Sequence, residues 1–261
     1  MMILIAYLLA GIASGFLAGL LGVGGGLVIV PALTLIFAAT HFHAGHAMHF
    51  AIATSLACIL FTSVSSIHAH NRRHAVDWAV FRHISPGILA GTFFGSLLGT
   101  RLPSLFLKDF FALFACFAAI RLFFDMKPGT VRKLPGIVGM TASGMLIGVI
   151  SSLVGIGGGS LSVPFLNWCN MKMIDAIGTS TAIGFPIAVA GTLGYAITGF
   201  SFEGLKEYSL GYVYLPALFF LAVGSVLAAP FGARLAHRLP QARLRKIFAL
   251  LLLLIGARMI L

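Results

Sequence analysis

The sequence predicts an all-α polytopic membrane protein made of two inverted repeats. Each repeat is expected to hold a glycine-broken re-entrant or hairpin element plus three transmembrane helices, for about eight full spans and about ten helical pieces. Three observations lead there. Of 261 residues, 59% are hydrophobic and 9% charged, whereas a soluble domain carries about 25% charged residues. Apolar stretches near the ~20 residues needed to cross a bilayer alternate with short basic loops. The third is an internal duplication: Gly22, Gly24, Gly25 and Gly26 followed by Pro31 recur as Gly155, Gly157, Gly158 and Gly159 followed by Pro164, at an offset of 133.

In chain order, the span-length stretches are 3–21, 47–68, 80–100, 105–124, 134–154, 176–199, 211–233 and 246–261. Met1–Leu21 holds no Lys or Arg and no small-residue cleavage site, so it reads as a retained membrane segment and not a signal peptide. Two shorter apolar pieces, 27–40 and 160–169, follow the glycine clusters. They are too short to span and read as half-helices, with Pro31 or Pro164 in the first turn. The duplication continues beyond the glycines. Ala53-Thr54-Ser55 parallels Gly178-Thr179-Ser180, Gly99–Leu102 parallels Gly232–Leu235, and Phe111, Leu113 and Arg121 parallel Phe248, Leu250 and Arg258. The repeats are therefore placed at 1–124 and 143–261. Residues 125–142, with Lys127, Arg132 and Lys133, form a basic cytoplasmic linker and the start of the next span.

The net charge of +11 arises from 17 Lys+Arg against 6 Asp+Glu. These basic residues punctuate apolar runs and form no stripe, so they read as topological anchors, with no nucleic-acid partner. If each broken element enters and returns on one side, a repeat has five pieces and the second repeat is inverted. Arg72, Arg73, Arg82, Arg121, Lys127, Arg132, Lys133, Lys172, Arg234, Arg238, Arg243, Arg245 and Lys246 then share the cytoplasmic side, 13 of 17. Arg101, Lys108, Lys206 and Arg258 lie outside. A single crossing by each broken element splits them 8 to 9. The positive-inside bias thus favours inversion, with both termini extracytoplasmic and the chain in the cell (inner) membrane. The cysteines Cys58, Cys116 and Cys169 are far apart in apolar runs and read as small buried hydrophobes.

A helix broken inside the bilayer leaves N–H groups that lipid cannot satisfy. Two readings of the glycines follow: tight packing or a kink, and an anion site at the N-terminus of the short helix. The expected contacts are Gly22, Gly24, Gly25, Gly26, Gly155, Gly157, Gly158 and Gly159 through backbone N–H, and Thr54, Ser55, Thr179 and Ser180 through hydroxyls. Those hydroxyls open the following spans and can also cap them. No complete dinucleotide fingerprint and no Walker lysine is present, so no cofactor is expected. All six carboxylates fall in loops or at span ends, leaving no obvious cation-coupling acid. The chain therefore reads as a carrier of a small anion, an exporter and not an enzyme, because an inside-negative potential expels anions.

Eight of nine histidines lie between His41 and His83. His43, His46 and His49 are spaced for one helical face, and His70 and His74 resemble a histidine box. The alternative function is a membrane-bound metalloenzyme using this cluster; solvated loop histidines are the simpler reading. His49, five residues before Thr54, is singled out as a substrate-binding candidate beside the first broken element.

Taken together, Gly22–Gly26 with Pro31, His49 through Thr54-Ser55, His70 with Arg72, Arg73, Val76 and Asp77, and Gly155–Gly159 with Pro164 and Thr179-Ser180 resemble the TauE/SafE sulfite exporter family, in order and over nearly the whole chain. The resemblance implies a membrane transporter of sulfite, thiosulfate, sulfoacetate or a related anion. It also implies that the glycine clusters and the Thr-Ser pairs surround the substrate. One departure is His74-Ala75, where the family often has Gly-Asn.

Overall fold

The structure is a computed structural model that describes residues 2–21, 25–40, 42, 45–124, 134–200, 207–236 and 241–260. Among them are ten helices: α1 (Met2–Leu21), α2 (Gly26–Ala39), α3 (Ala47–Asn71), α4 (Trp78–Arg101), α5 (Ser104–Phe123), α6 (Ile137–Val154), α7 (Gly159–Trp168), α8 (Met173–Gly199), α9 (Leu215–Ala236) and α10 (Gln241–Ile260). Eight have 18 residues or more; α2 has 14 and α7 has 10. At 1.5 Å per residue the two short helices are about 21 and 15 Å long, below the ~30 Å hydrocarbon core. By length and composition α1, α3, α6, α8 and α9 are apolar enough to cross a membrane.

Local chemistry sets the boundaries. Asp77 is the N-cap of α4, its carboxylate accepting the N–H groups of Ala79 and Val80 at 2.9 and 3.0 Å. Gly155 ends α6 and Gly158 precedes α7, both with left-handed backbone at φ 76° and 74°, a region costly for any residue with a Cβ. Two expectations need correction. Pro31 and Pro164 are each the sixth residue of their helix, not in its first turn. Each therefore withholds a donor from the carbonyl four residues back, on Leu27 and Ser160. The stretch 211–233 is also not one helix. Gly211 turns at φ 56° and a short antiparallel hairpin, β1 (Ser209–Leu210) and β2 (Val213–Tyr214), precedes α9.

Glycine contacts fix the helix directions. On α1, Gly11 backs onto Leu221 and Gly15 onto Ser225 of α9, while Gly232 of α9 meets Phe16; residue numbers rise together, so α1 and α9 are parallel. Likewise Gly87 meets Thr141, Gly91 meets Met145 and Gly95 meets Val149, so α4 and α6 are parallel. Counterpart helices of the two halves run oppositely. Leu56 of α3 touches Gly191 of α8, whereas Thr62, Ser63 and Ser66 share a cavity with Ser180 and Gly184. Gly256 of α10 lies against Cys116 and Ala112 of α5, and Lys246 sits 5.9 Å from the Phe123 ring.

Polarity is distributed opposite to that of a water-soluble bundle. Ser14, Thr54, Ser55, Thr92, Ser96, Ser151 and Thr179 are fully buried, while Leu105, Leu113, Phe117, Leu146, Phe219 and Leu227 face outward. Lipid accepts that apolar exterior. The close helix contacts yield a prediction. A Cβ at Gly91 would collide with the Met145 carbonyl and sit 2.7 Å from Met145 Cα, so Gly91→Leu should cost about 1–3 kcal/mol by overpacking. Thermal denaturation of the purified protein in detergent measures this; an unchanged midpoint would mean that α4 and α6 are not in close contact.

Candidate functional site

The two glycine clusters meet at the centre of the fold. A Cβ on Gly26 would run into the Gly155 carbonyl oxygen and lie 2.8 Å from Ile156 Cα. That same carbonyl accepts the Ser55 hydroxyl at 2.8 Å. Gly25, the N-cap of α2, has ordinary right-handed backbone at φ −62°. Gly22 and Gly24 lie outside the described residues.

The second cluster presents a set of donors. The Gly158 carbonyl points along α7, accepting the N–H groups of Leu161 and Ser162 at 2.9 and 2.8 Å and the Ser162 hydroxyl at 2.9 Å. Ser180 Oγ is 2.6 Å from Ser162 Oγ; the Ser162 proton is engaged with Gly158, so Ser180 is the donor of that pair. Ser180 thus helps to orient the cluster. The 158–159 peptide is trans, so its N–H points opposite to its carbonyl, away from the helix. The backbone N–H groups of Gly157, Gly158, Gly159 and Ser160 have no hydrogen-bond partner among the described residues. Free amides at a helix N-terminus form an electropositive end. A cavity of ≈ 20 Å³ beside them, room for about one water, is lined by Ala18, Ile59, Thr62, Ser63, Ser66, Gly157, Ser180, Thr181 and Gly184. Its polar side chains are all hydroxyls.

Thr54 and Thr179 do matching work. Thr54 Oγ1 accepts the Tyr214 N–H at 3.0 Å, just before α9, and Thr179 Oγ1 accepts the Asp77 N–H at 2.9 Å, just before α4. Neither caps its own helix: Thr54 is the eighth residue of α3 and Thr179 the seventh of α8. The capping expectation fails because both helices begin earlier than the Thr-Ser pairs. Thr179→Val should strand the Asp77 amide and cost about 1–3 kcal/mol, read as a lower unfolding temperature; an unchanged temperature would make this bond dispensable.

His49 lies near the start of α3, three residues before Ile52, whose Cα stands 3.1 Å from the Gly155 Cβ position. It is 2% exposed, with Nε2 3.1 Å from the Leu102 carbonyl and its ring stacked on Tyr212 at 5.3 Å and near His46 at 5.4 Å. His68 and His70 sit at the far end of α3, about 30 Å from His46 and His49 at 1.5 Å per residue. No three His, Cys, Asp or Glu gather to hold a metal among the described residues, which gives the metalloenzyme reading no support. His41, His43 and His237 lie outside those residues. Ser151, Ser160, Ser162, Thr62, Ser63 and Ser66 were not among the residues singled out from the sequence. Their signal was present as hydroxyl residues inside apolar runs, with Ser151 four positions before Gly155 and Ser162 four after Gly158.

A family model described as "Sulfite exporter TauE/SafE" matches residues 7–259. The chain belongs to the TauE/SafE sulfite exporter family. Among its relatives, a "Probable membrane transporter protein" of Haemophilus influenzae is 34% identical over 259 residues, 97% of each chain. One of Methanocaldococcus jannaschii with the same description is 27% identical over 261 residues, 97% of this chain and 94% of the relative. YdhB of Bacillus subtilis, likewise a "Probable membrane transporter protein", is 30% identical over 256 residues, 94% of each chain. No solved structure matches the chain. TauE/SafE membership and the five apolar span-length helices make this a multi-pass membrane protein of a transporter family.

Proposed function

We propose that the protein carries a small sulfur-containing anion such as sulfite, thiosulfate or a short sulfonate out of the cell, holding it between two inverted repeats, 1–124 and 143–261, joined by the linker 125–142. The observation that carries this reading is the row of free N–H groups from Gly157 to Ser160 at the start of α7, beside a wall whose polar groups are hydroxyls. Such a site attracts negative charge without a competing carboxylate. The opposite directions of α3 and α8, and of α5 and α10, support inversion. So does the meeting of Ala75 with Gly178, which brings the basic turn at Arg72 and Arg73 to the end of the bundle that holds Lys172. That end is assigned to the cytoplasm and both termini to the other side of the cell membrane.

The present cavity holds about one water, so an oxyanion enters only when α3 and α8 separate. Rocking one repeat against the other provides that opening. Export needs no coupling ion, since an inside-negative potential drives an anion outward by ~2.3 kcal/mol per charge per 100 mV. The test is flux from proteoliposomes with sulfite, thiosulfate, sulfate or a short sulfonate inside, under an imposed voltage. Voltage-driven release of one of them is expected; no flux of any, with voltage or a pH gradient, would end the transport reading.

A further inference from the structure

The two glycine clusters match in sequence but differ in the hydroxyls beside them. Ser151, in the last turn of α6, is fully buried and its Oγ has no hydrogen-bond partner among the described residues. It lies 3.6 Å from where a Cβ on Gly158 would sit, facing the left-handed turn whose amides are free. Several buried serines and threonines in this fold bond back to a carbonyl one turn earlier: Ser152 to Val149 at 2.8 Å, Ser162 to Gly158 at 2.9 Å, Thr62 to Cys58 at 3.2 Å. Ser151 does not, although burying a hydroxyl unpaired is costly. Its own carbonyl is occupied by the N–H groups of Gly155 and Ile156 at 2.8 and 3.1 Å, so the hydroxyl alone faces the turn. Ser160 Oγ, on the first turn of α7, is likewise buried without a partner.

The first half has no equivalent. At the offset of 133 the counterpart of Ser151 is Ala18 and that of Ser160 is Leu27. The serine beside Gly25 is Ser14, 3.3 Å from its Cβ position, and it donates to the Gly11 carbonyl at 3.0 Å. Resting on the anion-carrier reading above, we infer that Ser151 donates a hydrogen bond to the bound oxyanion, and that of the two glycine clusters only the second holds the anion. Amide donors from Gly157 to Ser160 then approach the anion from the α7 side and the Ser151 hydroxyl from the α6 side. Donors from two directions suit a sulfur oxyanion, whose oxygens diverge from one centre.

The experiment is isothermal titration of the full-length purified protein with sulfite. Ser151→Ala should weaken binding about tenfold to a hundredfold, the loss of one hydrogen bond to a charged group. Ser151→Cys, nearly the same size but a weak donor, should fall between, and serves if the alanine variant does not fold. Ser14→Ala should bind as the unsubstituted protein does. Ser151→Ala and Ser151→Cys binding within about twofold of the unsubstituted protein, while Gly158→Val binds nothing, would overturn the role of Ser151 and leave the carrier reading standing. Equal losses in Ser14→Ala and Ser151→Ala would overturn the one-sided site. No sulfite binding by the unsubstituted protein would overturn the carrier reading for this anion and the inference with it.

Discussion

Gly158→Val is expected to reduce anion flux to background while the protein still inserts and purifies. Gly158 sits at φ 74°, where an L-residue costs about 1–2 kcal/mol. Its Cβ would press on Ile187 Cδ1, the flexible end of a side chain, and stand 3.6 Å from both Ile147 and the Ser151 hydroxyl. The fold can absorb that. The proposed site should not, because the isopropyl group crowds the Ser151 hydroxyl and the turn whose amides are proposed to hold the anion. Losing two hydrogen bonds to a charged group removes about 3–6 kcal/mol, at least about a hundredfold in affinity. Gly158→Ala should fall between. The check is flux from proteoliposomes normalised to inserted protein; normal flux from inserted Gly158→Val would remove the site assignment.

Gly26→Val is expected to fail differently, as loss of folded protein. The new Cβ meets the Gly155 carbonyl and the Ile156 backbone, and neither can rotate aside. Backbone from the two halves must separate, so the cost should exceed the about 1–3 kcal/mol typical of overpacking. Gly25→Ala is the contrast: right-handed backbone and a nearest contact of 3.3 Å to Ser14 Cβ should leave the unfolding temperature nearly unchanged. Size-exclusion profiles and thermal denaturation in detergent separate the two. A stable, monodisperse Gly26→Val would mean that the clusters do not touch.

These two glycines show where sequence reading reached its limit. The spacing makes Gly25 the twin of Gly158, yet one is right-handed and the other left-handed. Spacing reports a duplication but not the conformation each copy adopts. The long helices were legible because a span-length apolar run has few other fates, and the short α2 and α7 because glycine clusters interrupt such runs. The hairpin at 209–214 was hidden because Tyr212, Val213 and Tyr214 run without a break into the apolar helix that follows; Gly211 marks the turn. The Thr-Ser pairs were legible as important but not in role. Thr54 and Thr179 hold backbone across the interface between halves, Ser55 holds the Gly155 carbonyl, and Ser180 acts through Ser162. Those partners lie 18 to 160 residues away in the chain, a distance that no local pattern encodes. The histidines were grouped by sequence and parted by α3, a helix long enough to carry His49 and His70 to opposite ends.

The amides of Gly157 to Ser160 are the proposed holders of the anion. Selenite has the shape and charge of sulfite and scatters X-rays anomalously, so diffraction from crystals grown with selenite locates the site directly. One anomalous peak per chain is expected within hydrogen-bonding distance of those amides and of Ser151 Oγ. A peak elsewhere, with the α7 N-terminus empty, would contradict it.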